Sequence, residues 1–148
     1  MNFGSSFGIS ASALTAQRLR MDVISSNIAN AETTRASMVD GKAVPYRRKL
    51  VVLEAAESNK FSDILNNKMN GGPKGVKVQA ITEDASPLKP VYNPSHPDAD
   101  ENGYVYMPNV DVTKEMVDML SASRSYEANV TMLNASKAMV SKALEIGR

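Results

Sequence analysis

The sequence predicts an α+β chain. Long N- and C-terminal α-helices form an antiparallel, coiled-coil-like pair, with a small β-rich insert between them. Three observations carry this. Leu14, Met21 and Ile28 recur every seven residues near the start. From Val112 to Leu144 the apolar positions alternate steps of four and three. Between these stretches lie strand-like alternation and one segment holding four of the chain's seven prolines, which rules out helix there.

In chain order, residues 1–9 are rich in Gly and Ser and are expected to be flexible in the free chain. A helix is expected from about Ser10, a serviceable N-cap. Ala13 and Ile24 widen its main stripe, while Ala16, Leu19 and Val23 form a weaker second stripe on the far side. The helix runs into "SSNIANAETT", Ser25–Thr34, whose Asn27 and Asn30 are poor helix formers that continue the second stripe. Their amides can bond the last carbonyls of the helix or a neighbouring backbone, fixing register as a buried asparagine does in a coiled coil.

The insert, residues 35–110, opens with a strand over Val44–Ala55. "KFSDILNN" (Lys60–Asn67) suits a short helix or turn, and "MNGGPKG" (Met69–Gly75) a loop. Val76–Ile81 alternates with period two and reads as a half-buried strand; Tyr104–Met107 reads as a second short one.

The C-terminal helix is expected from Asp111, its cap. Val112, Met116, Met119, Ser123, Tyr126, Val130, Leu133, Lys137, Val140 and Leu144 define its seam. Eight of those ten are apolar, which makes the heptad signal strong. Asp111, Glu115 and Asp118 near its start and Lys137, Lys142 and Arg148 near its end suit the helix dipole. At 1.5 Å per residue, about 35 residues span about 50 Å, against about 30 Å for the first helix. Ala128, Met132, Ala135, Met139, Ala143 and Ile146 form a second apolar stripe. One stripe can pack on the first helix; the other needs a further partner. The chain therefore divides into 1–34, a flexible segment and helix; 35–110, the insert; and 111–148, the long helix that pairs with the first.

Composition narrows the function classes. With 148 residues, 43% hydrophobic and 22% charged, the chain is not a disordered polar tail. Nine methionines against 5% aromatics favour helix–helix packing over a large β core. A net charge of +1 argues for no nucleic-acid partner, and no cysteine is available for disulfides or thiolate chemistry. No apolar run is long enough to span a bilayer, and "MNFGSSFGIS" lacks the regions of a cleaved secretory signal.

No residue set reaches a catalytic site, and no cofactor or metal is expected. "DADENG", Asp98–Gly103, matches the first half of a calcium loop, but its twelfth position is Asn109 instead of a bidentate glutamate. It reads as an acidic hairpin turn with Gly103 at positive φ, and a calcium-responsive binding module is the alternative from another class. His96, the single histidine, sits between prolines as a turn residue. "YRRK", Tyr46–Lys49, reads as a solvated strand edge.

"SSNIANAETT" resembles the N-terminal signature of the bacterial flagellar rod and hook proteins, in which an amphipathic helix ends in N-[IL]-A-N. "GYVYMPNVD", "EMV" and "SRSYEAN" are similar to the C-terminal part of a proximal rod member of that family, although another rod or hook paralogue is an alternative. The resemblance covers both terminal helices and the end of the insert. It implies a non-enzymatic structural subunit of the basal-body rod, the drive shaft crossing the periplasm. It implies polymerisation with copies of itself and other rod proteins, contact with the rod–MS ring junction, and passage through the flagellar type III export apparatus without a cleaved signal. It implies no small-molecule substrate. Leu14, Met21, Ile24 and Ile28, with the amides of Asn27 and Asn30, are then expected at subunit interfaces. On the long helix Met116, Met119, Tyr126, Val130, Leu133, Val140 and Leu144 join them, with Met132, Met139 and Ile146 from the second stripe.

Overall fold

The computed structural model describes residues 3–39, 42–56 and 75–146. The element order is α1 (Phe3–Ala29), β1 (Ser37–Val39), β2 (Lys42–Val44), β3 (Lys49–Ala55), β4 (Val76–Glu83), β5 (Lys89–Tyr92), β6 (Tyr104–Met107) and α2 (Val112–Ile146). The strands form three two-stranded sheets, β1–β2, β3–β4 and β5–β6. The expected elements at Lys60–Asn67 and over most of Met69–Gly75 lie outside the described residues.

The chain forms two compact units. One takes in Met1–Arg20, Val52–Ala80 and Ala122–Arg148; the other takes in Met21–Val51 and Ile81–Ser121. The first unit combines the start of α1 with the end of α2, and the second combines the end of α1 with the start of α2. The α+β architecture, two long terminal helices with small antiparallel hairpins between them, is the one the sequence predicts.

In the first unit α1 begins at Phe3, seven residues ahead of Ser10. Gly4 and Gly8 each cost a helix about 1 kcal/mol relative to alanine. Tertiary contacts offset this. Phe7 and Ile9 are half-buried. The Ser12 hydroxyl donates to the Ile9 carbonyl at 2.8 Å and accepts from the Val76 amide at 3.1 Å, tying the head of β4 to these turns. A Cβ on Gly75 would stand 2.7 Å from the Ser12 Oγ, so a side chain there would have to displace this hydroxyl from its hydrogen bonds.

In the second unit the expected strand Val44–Ala55 is broken into β2 and β3 by Pro45–Arg48. Pro45 has no N–H for a ladder, and Tyr46 turns inward to 7% exposure while its amide donates to the Thr33 carbonyl at 3.1 Å. β1 and β2 pair antiparallel with Ser37 opposite Val44. β5, absent from the sequence reading, pairs antiparallel with β6, placing Pro90 opposite Tyr106 and Tyr92 opposite Tyr104. A two-stranded sheet has only edge strands, which tolerate a proline. Val105 is buried, while the Tyr92 and Tyr104 rings meet edge to face at 5.4 Å.

The turn before β6 closes through Gly103 N–H to the Asp100 carbonyl at 2.8 Å, with Gly103 at φ 77°, as expected for this turn. A Cβ there would also come to 3.0 Å from Tyr92 Cε2. Gly103→Ala should therefore destabilise the chain by about 1–2 kcal/mol in urea unfolding. An unchanged midpoint would contradict the strained geometry.

Both helices turn a different line inward from the one expected. On α2 the buried positions are Glu115, Ala122 and Ser136, with Asn129 half-buried; Met119, Tyr126, Leu133 and Val140 flank them, half-buried. These eight also alternate by four and three. The expected seam thus shares Met119, Tyr126, Leu133 and Val140 with the observed one and is rotated at every other position. Met116 is 57% and Leu144 71% exposed, and Lys137 is exposed too. On α1 the inward line is Ala16, Val23, Ile24 and Asn27, whereas Leu14, Met21 and Ile28 remain half-buried. The physical reason is the polar pairing at one end of these lines: Asn27 and Glu115 are drawn inward by the hydrogen bond between them, and a buried polar group must keep such a partner.

Candidate assembly interface

α2 starts where Asp111 Oδ1 accepts from the Thr113 and Lys114 amides at 3.0 and 3.4 Å, the expected N-cap. One turn later Glu115 lies 1% exposed, in a polar junction built entirely within the second unit. The Asn27 Nδ2 donates to Glu115 Oε2 at 3.0 Å and to the Lys49 carbonyl at 2.9 Å. Its Oδ1 accepts from the Tyr46 hydroxyl and the Lys49 amide, both at 2.9 Å. The carboxamide thus uses both donors and both lone pairs inside its own chain.

Arg48 completes the junction. Its Nε donates to Glu115 Oε1 at 2.6 Å, and its terminal nitrogens lie 3.6 Å from Asp84 Oδ2 and 3.5 Å from Asp118 Oδ2. Its amide donates to Asn109 Oδ1 at 2.9 Å, and the Asn109 Nδ2 donates to the Asp84 and Ser86 carbonyls. Burial alone would lower the Arg48 pKa, but the hydrogen bond and charge of Glu115, followed by those of Asp84, outweigh it and raise it. The solvated-edge reading of Tyr46–Lys49 is corrected here: Tyr46 bonds Asn27 and Arg48 bonds Glu115, so these two side chains serve the junction.

The other amide caps α1. Asn30 Nδ2 donates to the Ser26 carbonyl at 2.9 Å, and its Oδ1 accepts from Thr33 Oγ1 at 3.2 Å, satisfying the helix end as expected. Past this cap, the Asp98 carboxylate accepts from Thr34 Oγ1 at 2.9 Å and pairs with Arg35. The half-match to a calcium loop thus ties the hairpin turn to the chain after α1. The His96 Nδ1 accepts from the Asp98 amide, again as a turn residue. Among the described residues no group of three His, Cys, Asp or Glu side chains converges as a metal site. An open cleft of about 470 Å³ beside Arg35 and Asp98 is floored by this ion pair and flanked by Met38 and Tyr106.

The Asp84 pKa is lowered first by the hydrogen bonds of the Ser86 hydroxyl and amide, then by Arg48. That of Asp98 is lowered first by the Arg35 hydrogen bond, then by Thr34. A carboxyl whose native pKa lies below its unfolded value adds stability above that value and loses it as pH falls through the native one. The fold should therefore hold its stability from neutral pH down to near the ordinary carboxyl value of 3.8 and lose it progressively below. Urea unfolding at stepped pH checks this. Asp98→Asn should flatten part of the acid loss.

The large apolar side chains of α2 lie outside. In the second unit Met116, Val117 and Leu120 are 57–63% exposed. In the first unit Ala128, Met132, Ala135, Met139 and Ala143 are all exposed, and the side chain of Ile146 lies outside the described part. Val130 is half-buried on the flank of the inner line. No helix among the described residues is long and apolar enough to cross a membrane.

A long helix with this much large apolar surface outside has contacts left to make, and the family relationships agree. Residues 7–36 match the family described as flagella basal body rod protein, and residues 101–146 match the flagellar basal body rod FlgEFG protein C-terminal family. This is the axial class of flagellar proteins. The chain is 59% identical over 146 residues to the flagellar basal-body rod protein FlgC of Bacillus subtilis, covering 97% of each. It is 47% identical to that of Borreliella burgdorferi, covering 99% of this chain and 98% of the relative. It is 46% identical to that of Salmonella typhimurium, covering 96% of each. The chain belongs to the FlgC family of flagellar basal-body rod proteins, and it is a structural subunit of that rod.

Asn30 was legible as a cap from its place at the end of the N-I-A-N block. Tyr46, Arg48, Asn109 and Glu115 were missed as a junction. One signal was present: Glu115 stands seven residues before Ala122, in a line that continues through Asn129 and Ser136.

Proposed function

We propose that the chain enters the rod by packing the exposed apolar face of α2 against the terminal helices of neighbouring subunits, copies of itself and other rod proteins. The carrying observation is the outward pair Met132 and Met139, 61% and 57% exposed and seven residues apart on one helix face; Met116 and Leu144, 57% and 71% exposed, add apolar surface from the other stripe. Leu14, Met21 and Ile28 on α1 and Met119, Tyr126, Val130, Leu133 and Val140 on α2 border this contact with partly exposed edges. Ile24 and Asn27, 5% and 1% exposed, serve the chain's own interior and leave the interface set. Asn30 is a cap, and Ile146 extends the second stripe.

In this reading the helices of 1–34 and 111–148 form the polymerising domain, and the insert 35–110 anchors them at the polar junction. A heterologous contact between non-equivalent faces builds an open helical structure instead of a closed ring. The subunit works without catalysis, in the periplasmic rod near the MS ring junction. It reaches that place through the flagellar type III export apparatus.

The test is Met132→Asp combined with Met139→Asp. Exposed positions tolerate such changes within about 0.5 kcal/mol, so the isolated chain should unfold as the parent does. Incorporation into isolated basal bodies, and motility of cells relying on this copy, should be lost. Normal incorporation would remove the α2 face as the contact.

A further inference from the structure

We propose that Met132 and Met139 are oxidation sites through which peroxide withdraws the free subunit from assembly; this rests on the α2 face being the subunit contact. The chain has nine methionines and no cysteine, so thioethers are the first side chains a peroxide meets. Exposure then sorts them. Met132 and Met139 are 61% and 57% exposed, whereas Met21, Met107 and Met119 are half-buried.

The two share one helix face, seven residues apart, and exposed alanines at 128, 135 and 143 accompany them. Small neighbours leave the two thioethers as the projecting apolar bulk of that face. Met38 and Met116, 59% and 57% exposed, oxidise as readily but lie off this line.

The chemistry is a two-electron transfer. The Sδ lone pair attacks one oxygen of hydrogen peroxide, the O–O bond breaks, an S–O bond forms, and water leaves. Sulfur is oxidised and peroxide reduced. The resulting sulfoxide is polar and must be desolvated to enter a helix contact. Once subunits pack, the same thioethers are shielded, so sensitivity belongs to the free subunit.

The experiment has two arms. Purified full-length chain is treated with dilute hydrogen peroxide and mapped by mass spectrometry; Met132 and Met139 should oxidise ahead of Met21, Met107 and Met119. Variants are then expressed in cells lacking their own copy of this subunit, and basal bodies are isolated. Met132→Gln with Met139→Gln, which mimics the sulfoxide's polarity, should cut incorporation about tenfold or more. Met132→Leu with Met139→Leu should incorporate normally and keep doing so after peroxide treatment of the cells. Late oxidation of the two, normal incorporation of the glutamine pair, or loss with the leucine pair after peroxide equal to that of the parent would each overturn the proposal. If the aspartate pair fails to incorporate while the glutamine pair succeeds, only the oxidation inference falls. If the aspartate pair itself incorporates, the contact reading falls with it.

Discussion

Glu115→Ala is expected to destabilise the chain by about 3 kcal/mol or more, seen as a lower urea midpoint. The carboxylate is 1% exposed and accepts from both Arg48 Nε and Asn27 Nδ2. Removing it leaves a guanidinium and an amide inside the second unit without their acceptor. Asp84 and Asp118, 3.6 and 3.5 Å from Arg48, limit the loss by keeping part of its charge compensated. Glu115→Gln, which can still accept from Asn27, should cost less. Glu115→Leu with Arg48→Met should recover much of the loss, since replacing both members of a buried pair by apolar groups of similar size is often neutral. Equal damage from the single and double variants would show that packing, not the unpaired charge, dominates.

Ala122→Leu should cost about 1–3 kcal/mol, while Ser123→Leu should cost clearly less. The comparison separates two faces of one helix. The heptad pattern of the sequence places position 123 in the seam. In the structure Ala122 is 1% exposed and position 123 lies partly open. Three extra heavy atoms at 122 must push neighbouring atoms off their positions; the net two added at 123 can lean outward. The measurement is the urea midpoint of each variant. A larger loss at 123 would restore the expected seam.

These expectations show where sequence reading succeeds. The ends of α2 were legible because a cap and an unbroken periodic run are local features: Asp111 caps and Ile146 closes. The Gly103 turn was legible because positive φ is a property of one residue. The start of α1 was not, because Gly4 and Gly8 argue against helix locally, and only the packing of Phe7 and Ile9 and the Ser12–Val76 tie outweigh them. β5 escaped because Pro90 speaks against a strand unless the strand has a free edge.

The candidate interface divides along the same line. Two apolar stripes on a helix too long for its partner already require neighbours, and the family signature supplies their kind. Which stripe faces outward is a different matter. Periodicity ranks residues by hydrophobicity, and on that scale Met116, Met132 and Leu144 look more interior than Ala122, Ser136 or Glu115.

The sequence by itself thus determined the α+β class, the two helices, the N-cap of α2 and the flagellar rod family. Each rests on short-range propensity, spacing or a local motif. Only the tertiary structure decided the rotation of both helices and the meeting of Asn27, Tyr46, Arg48 and Glu115 in one junction. A buried carboxylate is tolerable only where Arg48 and Asn27, 67 and 88 residues away along the chain, arrive to meet it.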